Sequence, residues 1–562
     1  MGRLLCLPFS LCFVALSLPL GCGGKGPADT NSEVDTDADT DTDADTATDT
    51  DTGTDTDSDD TGADVDTGPG ADTSADTATD ADTATPDEDR RTALLECVVK
   101  TGGCDEVLEP DAYNMIYVQG SGYTYDDGLD HAGQTLCIPS GTYEHLNFSG
   151  LVGAEGSPIL ITNCGTGQVL VDAEGSHAAL TAHASQYLHL SGTGDPDEEY
   201  GFALSNAGSG MMGIDMKDGA SDIEVDYFSI TGPAYSGISI RAYPYCDEDL
   251  GRDVFTQYNT SVHDNYIFDV SGEGIYLGPS HYYEETSPTS TEECSPGIAE
   301  AALVGVEVYN NIVEDVGRDA IQVGAAIEGM SIHHNIIRRY ALSQSYGHIG
   351  GIQVNPGSVG HVYANIIESD DSDIADNAIQ FAGGEDGPTY FYNNLIIGTS
   401  IPFMALSRMG NSDSEVYFLN NTVVSRDGDS STFLLYCDEG WTQDFTVKNN
   451  IFTNYEYVGN FIYTDSDGDP WTFLNGNGTA AYCPINGQVH ENDIDENQQI
   501  EGNLYLQDPA EVYFVDFEGG DYHLQATSPA VGAGEDMSDI FAVDIEGVDR
   551  DEGAFDMGAY RY

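Results

Sequence analysis

The sequence predicts an all-β chain wound as a solenoid of stacked coils, and two repeating patterns support this fold class. In the first pattern, a small residue opens a run of alternating apolar and polar residues, which is the period of a half-buried strand. It returns five times, beginning at Gly237, Gly274, Ala320, Gly351 and Ala378. In the second pattern, a β-branched or aromatic residue is followed three positions later by asparagine, at Asn265, Asn311, Asn335, Asn365, Asn394, Asn421 and Asn450.

The spacing of the asparagines favours a coil over other repeats. Successive asparagines are between 24 and 46 residues apart, and periods of this length are typical of solenoids. One repeat cannot bury its apolar row alone, so it must stack on its neighbours. An asparagine at the same turn of each coil can hydrogen-bond its own backbone and the adjacent coils. The repeats resemble the right-handed parallel β-helix of pectate lyases and many bacterial surface proteins. The resemblance covers about residues 135–510 and implies a single-stranded right-handed parallel β-helix.

The first 90 residues predict export and a disordered tether. Residues 1–21 join a charged Arg3 to an apolar stretch too short to span a membrane, which is typical of a signal peptide. Residues 18–22 resemble a lipobox, which implies a lipid on Cys22; ordinary secretory cleavage is the alternative. Residues 22–90 are rich in Asp and Thr. Such a segment stays disordered because it repels itself and has little apolar surface to bury.

The charge of the chain narrows its possible partners. The chain has 98 acidic and 16 basic residues, of which 23 and 3 fall in positions 1–90. The remaining 75 acidic and 13 basic residues give the predicted folded part a net charge of −62. Such a field repels nucleic acid, anionic lipid and polyuronates unless divalent cations intervene. We therefore expect no nucleic-acid partner and no membrane contact other than the lipid anchor.

The repeats also set the boundaries of the folded part. Residues 91–134 precede the first predicted coils, and we expect them to form an N-terminal cap over the open strand edge. Residues 135–510 form the predicted β-helix. Residues 511–562 resemble a terminal segment of secreted β-helix proteins, which implies that they close the stack. We expect the chain to be a monomer.

The cysteines predict disulfide bonds. Eight of them follow Cys22, and an even number in an exported chain is typical of disulfide pairing. Many connectivities are possible, and the predicted coil register narrows them because each pair should join neighbouring loops or coils. The expected pairs are Cys97–Cys104, Cys137–Cys164, Cys246–Cys294 and Cys437–Cys483.

A polar strip is expected on the outer face of the first-pattern strands. If the isoleucine of each copy points inward, the next residue points outward, and successive copies lie about 4.8 Å apart. Amides hydrogen-bond sugar hydroxyls and aromatic rings pack on sugar rings. The predicted substrate-binding residues, one of them in the insertion after a strand, are Tyr276, Gln322, Gln353, Asn355, Gln380 and Tyr282. In the alternative interpretation, the amides only satisfy one another.

Chemistry on this strip would need acids, bases or a bound cation near the strand ends. The candidate catalytic residues are Arg241, Glu273, Arg318, Asp319 and His348. The resemblance to β-helix lyases implies an arginine base and Ca²⁺ held by carboxylates, here Asp319 and Asp376. A glycoside hydrolase instead needs paired carboxylates, and Glu273 and Asp319 on adjacent coils qualify. An arginine beside an aspartate is also an ordinary ion pair, and the signatures of β-helix polygalacturonases and alginate epimerases are absent.

Three functions remain open at this point. The first is an exported protein that binds a polysaccharide. It would be an outer-membrane or cell-surface lipoprotein, or otherwise a secreted protein. If it is an enzyme, it is a polysaccharide lyase or a glycoside hydrolase. The second is a non-catalytic adhesin or structural surface protein, and the third is a Ca²⁺-dependent scaffold. The fold alone does not choose among them. Convergence of the five candidate catalytic residues around one hollow would favour an enzyme.

Overall fold

The computed structural model describes residues 103–562 except for 121–129, 174–177, 207–211, 243–247, 283–297, 370–373, 375, 385–386, 407–413, 427–432, 437–443, 455–461, 465–469, 473–497 and 551–552. The predicted signal peptide, Cys22 and the Asp/Thr-rich tether lie outside the described residues. The same holds for five cysteines of the predicted disulfides, Cys97, Cys246, Cys294, Cys437 and Cys483. Within the described part, no helix has the length and apolar character needed to cross a membrane.

The chain is a right-handed parallel β-helix, as the sequence predicts, and most coils contribute three short strands. The first sheet contains the first-pattern strands and joins one strand from each of eleven coils. The other two strands of a coil lie before and after the asparagine turn, and we call them the second and third sheets. Hydrogen bonds connect these two into one 23-stranded sheet.

The strand bounds show this regularity along the chain. The first sheet consists of Met115–Tyr117, His145–Asn147, Leu180–Thr181, Met212–Met216, Ser236–Ile240, Glu273–Leu277, Ile321–Val323, Gly350–Val354, Asn377–Phe381, Ile401–Leu406 and Phe433–Tyr436. The second sheet consists of Glu106–Val107, Thr135–Tyr143, Ile159–Ala173, Gln186–Ser191, Ser221–Asp226, Thr256–His263, Ala302–Tyr309, Ala326–His333, Gly360–Tyr363, Gly387–Tyr392, Ser414–Leu419, Asp444–Lys448 and Gln498–Ile500. The third sheet consists of Phe202–Asn206, Phe228–Thr231, Tyr266–Val270, Ile312–Val316, Ile336–Arg338, Ile366–Glu368, Leu395–Ile397, Thr422–Val424, Ile451–Thr453 and Leu504–Leu506.

Four further short strands and two 3₁₀ helices complete the described elements. The strands form two antiparallel pairs, Ile462–Thr464 with Pro470–Thr472 and Phe514–Asp516 with Asp521–Leu524. The 3₁₀ helices are Glu248–Leu250 and Pro509–Glu511.

The core is a stack of apolar columns inside the coils. In the first sheet, Ile275 pairs in register with Ile238 and Ile321, and the column continues through Ile352 and Ile379. All five side chains are fully buried. The alternating pattern therefore places its isoleucines inward, as predicted, and the residues between them face outward.

The second pattern forms a hydrogen-bonded asparagine ladder. The Nδ2 of Asn311 lies 3.0 Å from the Oδ1 of Asn335, and the Nδ2 of Asn335 lies 3.0 Å from the Oδ1 of Asn365. The ladder extends beyond Asn450 to Asn503. The residue before each ladder asparagine is left-handed, as at Asn310 with a φ of 56°. This conformation makes the tight turn between the second and third sheets.

The N-terminal end of the stack contains an additional coil, and its disulfide bond differs from the prediction. The strands Glu106–Val107 and Met115–Tyr117, in the segment expected to cap the stack, pair in parallel with the next coil and so extend the sheets. Cys104 forms a disulfide with Cys137, so the predicted pairs Cys97–Cys104 and Cys137–Cys164 are wrong. The physical reason is the added coil: it places Val107 in register with Cys137 and brings Cys104 beside it. Cys164 is also disulfide-bonded and packs against this pair.

The described part of the C-terminal segment, which the sequence predicts to close the stack, packs against the flank of the last coils. Its apolar residues, including Val512, Tyr522 and Met557, pack against outward side chains of the third sheet such as Leu395 and Ile451. Its backbone also meets the residues that precede the ladder asparagines. Asn393 Nδ2 donates to the carbonyl of Val543 at 2.8 Å, and Asn420 Nδ2 donates to that of Asp556 at 2.8 Å.

Candidate functional site

Four of the five predicted catalytic residues converge at the edge of the first sheet. The register that pairs Ile275 with Ile321 places Glu273 and Asp319 on adjacent coils, just before their strands. The Nδ1 of His348 lies 3.2 Å from the Oδ2 of Asp319 and 3.4 Å from the Oε1 of Glu273. The Nη1 of Arg318 lies 3.2 Å from the same Glu273 oxygen. We call Glu273, Arg318, Asp319 and His348 the His348 cluster.

Burial controls the ionisation of this cluster. Glu273 and Asp319 are fully buried. Burial raises the pKa of Asp319 to about 6. The hydrogen bonds that Asp319 accepts from His348 and from the backbone N–H of Gly350 lower this pKa, but by less than burial raises it. Burial acts in the opposite direction on His348, but the hydrogen bond and charge of Asp319 outweigh it and raise the pKa of His348. The hydrogen bond therefore joins a carboxyl group and an imidazole whose pKa values are both raised.

The His348 cluster contains groups of the kinds that transfer protons or bind cations. The Oε2 of Glu273 is buried and has no hydrogen-bond partner. One ligand atom from each of Glu273, Asp319 and His348 lies within 4.8 Å of the others. The side chains of Arg318 and His348 are about one-third exposed, so they separate the buried carboxylates from solvent. Carboxylate and imidazole groups in such an arrangement can act as general acid and base.

Arg241, the fifth candidate, belongs to a neighbouring group. Its guanidinium lies over the ring of Tyr276, 4.4 Å from the centroid. The Tyr276 hydroxyl is 2.6 Å from the Oγ of Ser280. Burial lowers the pKa of Arg241, whereas the nearby Tyr276 and Glu300 raise it. The net effect is an increase in the pKa, so the guanidinium stays charged.

The predicted polar strip is covered by the loop that follows the strand Glu273–Leu277. The Ser280 Oγ accepts hydrogen bonds from Gln322 at 2.8 Å and from Asn355 at 3.3 Å. Beyond these, the side-chain amides of Gln380 and Gln353 lie 3.0 Å apart. The exposed fraction is between 0% and 7% for Tyr276, Gln322, Gln353, Asn355 and Gln380. In the described structure these side chains bond to one another and to the loop.

The remaining two predicted site residues lie apart from the His348 cluster. Tyr282 packs over Gly357, and the Arg252 guanidinium lies 4.1 Å from its ring centroid. Asp376 is two coils from Asp319, roughly 10 Å at the spacing of parallel strands. Its Oδ1 lies 3.0 Å from the Nη2 of Arg426 and accepts from the backbone N–H of Ser400 at 2.8 Å.

The second sheet carries a feature that the sequence analysis missed, two rows of stacked rings on its outer face. Neighbouring ring centroids of the first row are 4.4–5.1 Å apart, in the order His263, Tyr309, His333, Tyr363 and Tyr392. Those of the second row are 4.8–4.9 Å apart, in the order His361, Tyr390 and Tyr417. We call these eight residues the aromatic rows. A sequence signal existed, because each first-row residue stands two positions before a ladder asparagine.

A cavity of about 520 Å³ adjoins the first row at its N-terminal end. Tyr309 borders both the row and the cavity, and Tyr187, Ser261 and Glu307 line the cavity with it. At the other end of the row, Tyr392 stacks on Phe541 of the C-terminal segment, with 4.6 Å between centroids. The accessible part of the rows therefore runs from the cavity toward the C-terminal segment.

Solved structures that are similar to the chain include three with low sequence identity. No protein-family model and no curated protein sequence matches the chain. The pectate lyase Pel9A is similar over 83% of this chain and 99% of its own, with 13% identity and a TM-score of 0.37. XylC, solved in complex with xylose, is similar over 79% of this chain and 96% of its own, with 10% identity and a TM-score of 0.38. A mutant of the periplasmic alginate epimerase AlgG is similar over 74% of this chain and 88% of its own, with 9% identity and a TM-score of 0.29.

Proposed function

We propose that this protein is exported and binds an extended, neutral polysaccharide along the aromatic rows. The signal-peptide pattern and the Asp/Thr-rich segment support display from a cell surface on a lipid-anchored tether, with a secreted form as the alternative. The single observation that carries the binding function is the pair of ring rows on one outer face. Five successive coils contribute to the first row.

The geometry of the rows suits a sugar chain parallel to the axis of the β-helix. Because the rings stack on one another, they present their edges, with phenol hydroxyls and imidazole nitrogens, to solvent. Tyrosine combines an apolar body with a polar tip that forms hydrogen bonds. One such tip recurs at each coil, about every 4.8 Å, and this spacing is close to the length of one sugar residue. The cavity beside Tyr309 offers a place for a side branch or a chain end.

Charge favours a neutral ligand. Burial lowers the pKa of His333 to about 4, with a further contribution from His334, and burial also lowers the pKa of His361. These rings are therefore neutral near pH 7. The surrounding protein is strongly acidic and repels polyuronates, whereas a neutral glycan has no such penalty.

A glycan-binding experiment with matched tyrosine variants tests this function. The wild-type chain is applied to an array of neutral and acidic glycans with and without Ca²⁺, and the affinity for each bound glycan is then measured in solution. We expect Tyr309→Ala and His333→Ala to weaken binding by about tenfold or more, because truncating a central aromatic contact can cost about 2 kcal/mol and about 1.4 kcal/mol corresponds to a factor of ten. Tyr113→Ala, at a tyrosine that is 75% exposed and outside the rows, should bind as the wild type does. Absence of binding to any neutral glycan would overturn the proposal.

Glycan cleavage at the His348 cluster is the second candidate function. The observation that favours it is the buried Asp319 with a pKa of about 6, 3.2 Å from His348. Such a pair can take a proton from a substrate or deliver one at neutral pH. The buried Glu273 oxygen that lacks a partner fits a cation such as Ca²⁺, which would stabilise the anion formed in a lyase reaction.

Turnover assays separate this candidate from a non-catalytic adhesin. Lyase activity creates a double bond that absorbs ultraviolet light, and hydrolase activity creates new reducing ends. An enzyme should lose activity in Asp319→Asn and His348→Ala but keep it in Tyr309→Ala when a short substrate is used at saturation.

Tyr346 is 98% exposed in the loop that leads to His348. Loss of glycan binding in Tyr346→Ala but not in Tyr309→Ala would move the binding surface to this cluster. If the protein binds glycans but cleaves neither neutral nor acidic ones, the result would favour a non-catalytic adhesin.

A further inference from the structure

We propose that His189, Glu224 and Asp226 form a binding site for a divalent transition-metal ion, with Zn²⁺ as the reference metal. The site lies on the outer face of the second sheet, against the cavity beside Tyr309. It is separate from the His348 cluster on the first sheet. Its existence does not depend on the carbohydrate function.

The coil register builds this site from residues that are distant in sequence. His189 pairs with Glu224 across the strands Gln186–Ser191 and Ser221–Asp226. Asp226 is two positions beyond Glu224, so it points to the same outer face. Ile223 and Val225, between and beside them, are buried in the core. The strand alternation thus directs all three potential ligands outward.

The distances between the ligand atoms fit a small cation. The Nε2 of His189 lies 2.7 Å from the Oδ2 of Asp226 and 3.6 Å from the Oε1 of Glu224, and the three ligand atoms lie within 4.8 Å of one another. Bonds of 2.0–2.2 Å to a tetrahedral Zn²⁺ place neighbouring ligand atoms about 3.4 Å apart. The observed distances lie on both sides of that value, so small side-chain rotations would complete the geometry.

An unsatisfied buried oxygen points to a missing cation. The side chain of Asp226 is 5% exposed, and its Oδ1 has no hydrogen-bond partner. A buried carboxylate oxygen without a partner is costly. Among the described residues that line the adjoining cavity there is no lysine or arginine. A metal ion bound by the Oδ2 of Asp226 would neutralise the negative charge that this carboxylate shares between its two oxygens, and would so lower the cost of burying the Oδ1.

His263 holds the site from the next coil. Its Nε2 lies 3.1 Å from the Oε1 of Glu224, its Nδ1 lies 2.8 Å from the Oδ2 of Asp264, and its ring stacks on Tyr309. A carboxylate that binds a metal is commonly oriented by such a hydrogen bond. With three protein ligands, a fourth position would face the cavity, which is the arrangement of metal sites that accept water or a ligand.

Metal binding to the full-length chain tests the proposal. Equilibrium dialysis followed by metal analysis, and calorimetric titration with Zn²⁺, should give one tight site per wild-type chain. His189→Ala and Glu224→Gln should weaken that site by about tenfold or more. Glu224 is 45% exposed, so the second variant is not expected to disturb folding, and circular dichroism checks both. Co²⁺ in place of Zn²⁺ should give visible absorption bands that disappear in His189→Ala.

Two matched variants exclude other binding sites. Glu307→Gln changes a carboxylate of the same cavity outside the three proposed ligands, and His348→Ala removes the histidine of the other cluster. Both should bind Zn²⁺ as the wild type does. The proposal is overturned if the wild type binds no Zn²⁺, if the tight site survives in His189→Ala and Glu224→Gln, or if His348→Ala alone abolishes it.

Discussion

Asn335 and Asn365 lie one above the other at the same turn of adjacent coils. The backbone N–H and the Nδ2 of Asn335 both donate to the Oδ1 of Asn365, at 3.1 and 3.0 Å. The Nδ2 of Asn335 also donates to the carbonyls of Val308 and His333. One amide therefore joins three coils inside the protein, where water does not compete. Only an amide of this length supplies both an acceptor for the coil before it and donors for its own turn.

Replacing this asparagine should strongly destabilise the β-helix. Asn335→Ala removes the side-chain acceptor of the Asn311 N–H and the side-chain donor to the Val308 carbonyl, both in the buried interior. The Asn365 Oδ1 keeps the backbone N–H of residue 335. Each buried group that loses its partner costs about 1–3 kcal/mol, and we expect a loss of about 3 kcal/mol after local relaxation. Urea denaturation followed by circular dichroism measures it. Asn503→Ala, at the less buried end of the described ladder, should cost about 1 kcal/mol. Equal losses in the two variants would show that the position along the ladder does not matter.

The sequence predicted the coil well because the coil depends on local patterns. Alternation placed Ile275 and its equivalents inward, and the recurring asparagines marked the turn, since both effects act within one repeat. The coil before Thr135 was missed because its strands, Glu106–Val107 and Met115–Tyr117, are too short to show a period. That missing coil also explains the wrong cysteine pairs.

The candidate site could be predicted only in part. Glu273 and Asp319 were placed on adjacent coils because they stand at equivalent positions before the repeated strand. The cover over Gln322 and Asn355 was not predictable, because it comes from Ser280 in an insertion outside the repeat. The triad of His189, Glu224 and Asp226 has no short motif. Its members meet only once the register of two coils is known.

The stability of the protein should decrease with rising pH between about 4 and 6 because of Asp319. Its folded-state pKa of about 6 is above the unfolded value of about 3.9, so the unfolded state releases the proton first. The loss of stability caused by ionised Asp319 is absent below the unfolded pKa. It is complete above the folded pKa, where it amounts to about 3 kcal/mol.

Asp319→Asn keeps an acceptor for the Gly350 N–H and cannot ionise. Relative to wild type, its free energy of unfolding should rise by about 2 kcal/mol from pH 4 to pH 6 in urea denaturation, and by about 3 kcal/mol over a range that extends below the unfolded pKa and above the folded pKa. The exposed Glu518→Gln variant should show no such gain, and a constant difference for Asp319→Asn would contradict the raised pKa.

Arg426 should be a structural residue that compensates Asp376. Its side chain is 10% exposed, and the Asp376 side chain is fully buried. Its guanidinium also donates to the carbonyls of Gly398 and Ile374, at 2.8 and 3.0 Å. Arg426→Met leaves a buried carboxylate without its cation, which should cost about 3–5 kcal/mol.

A second variant separates this structural role from cation binding by Asp376. The double variant Arg426→Met/Asp376→Asn removes the buried charge as well and should recover part of the loss, as measured by thermal and urea denaturation. If Asp376 instead binds Ca²⁺, as the sequence suggested, then Ca²⁺ should restore the stability of Arg426→Met alone. We expect no such restoration, because among the described residues Asp376 belongs to no group of three carboxylate or histidine side chains close enough to share a metal ion.

The disulfide between Cys104 and Cys137 should hold the first described coil onto the second. It closes a loop across 33 residues, and the two strands beside it share only the pairs Glu106–Leu136 and Val107–Cys137. So short a pairing of strands is not stable alone, and a disulfide bond typically contributes about 2–4 kcal/mol.

Peptide mapping without reduction should recover a linked peptide that contains Cys104 and Cys137. Replacing both by serine should increase hydrogen exchange in Met115–Tyr117 and leave Ile352 and its neighbours unchanged, since distant coils of a solenoid are nearly independent. Recovery of a Cys137–Cys164 peptide instead would show that this coil docks in a different register.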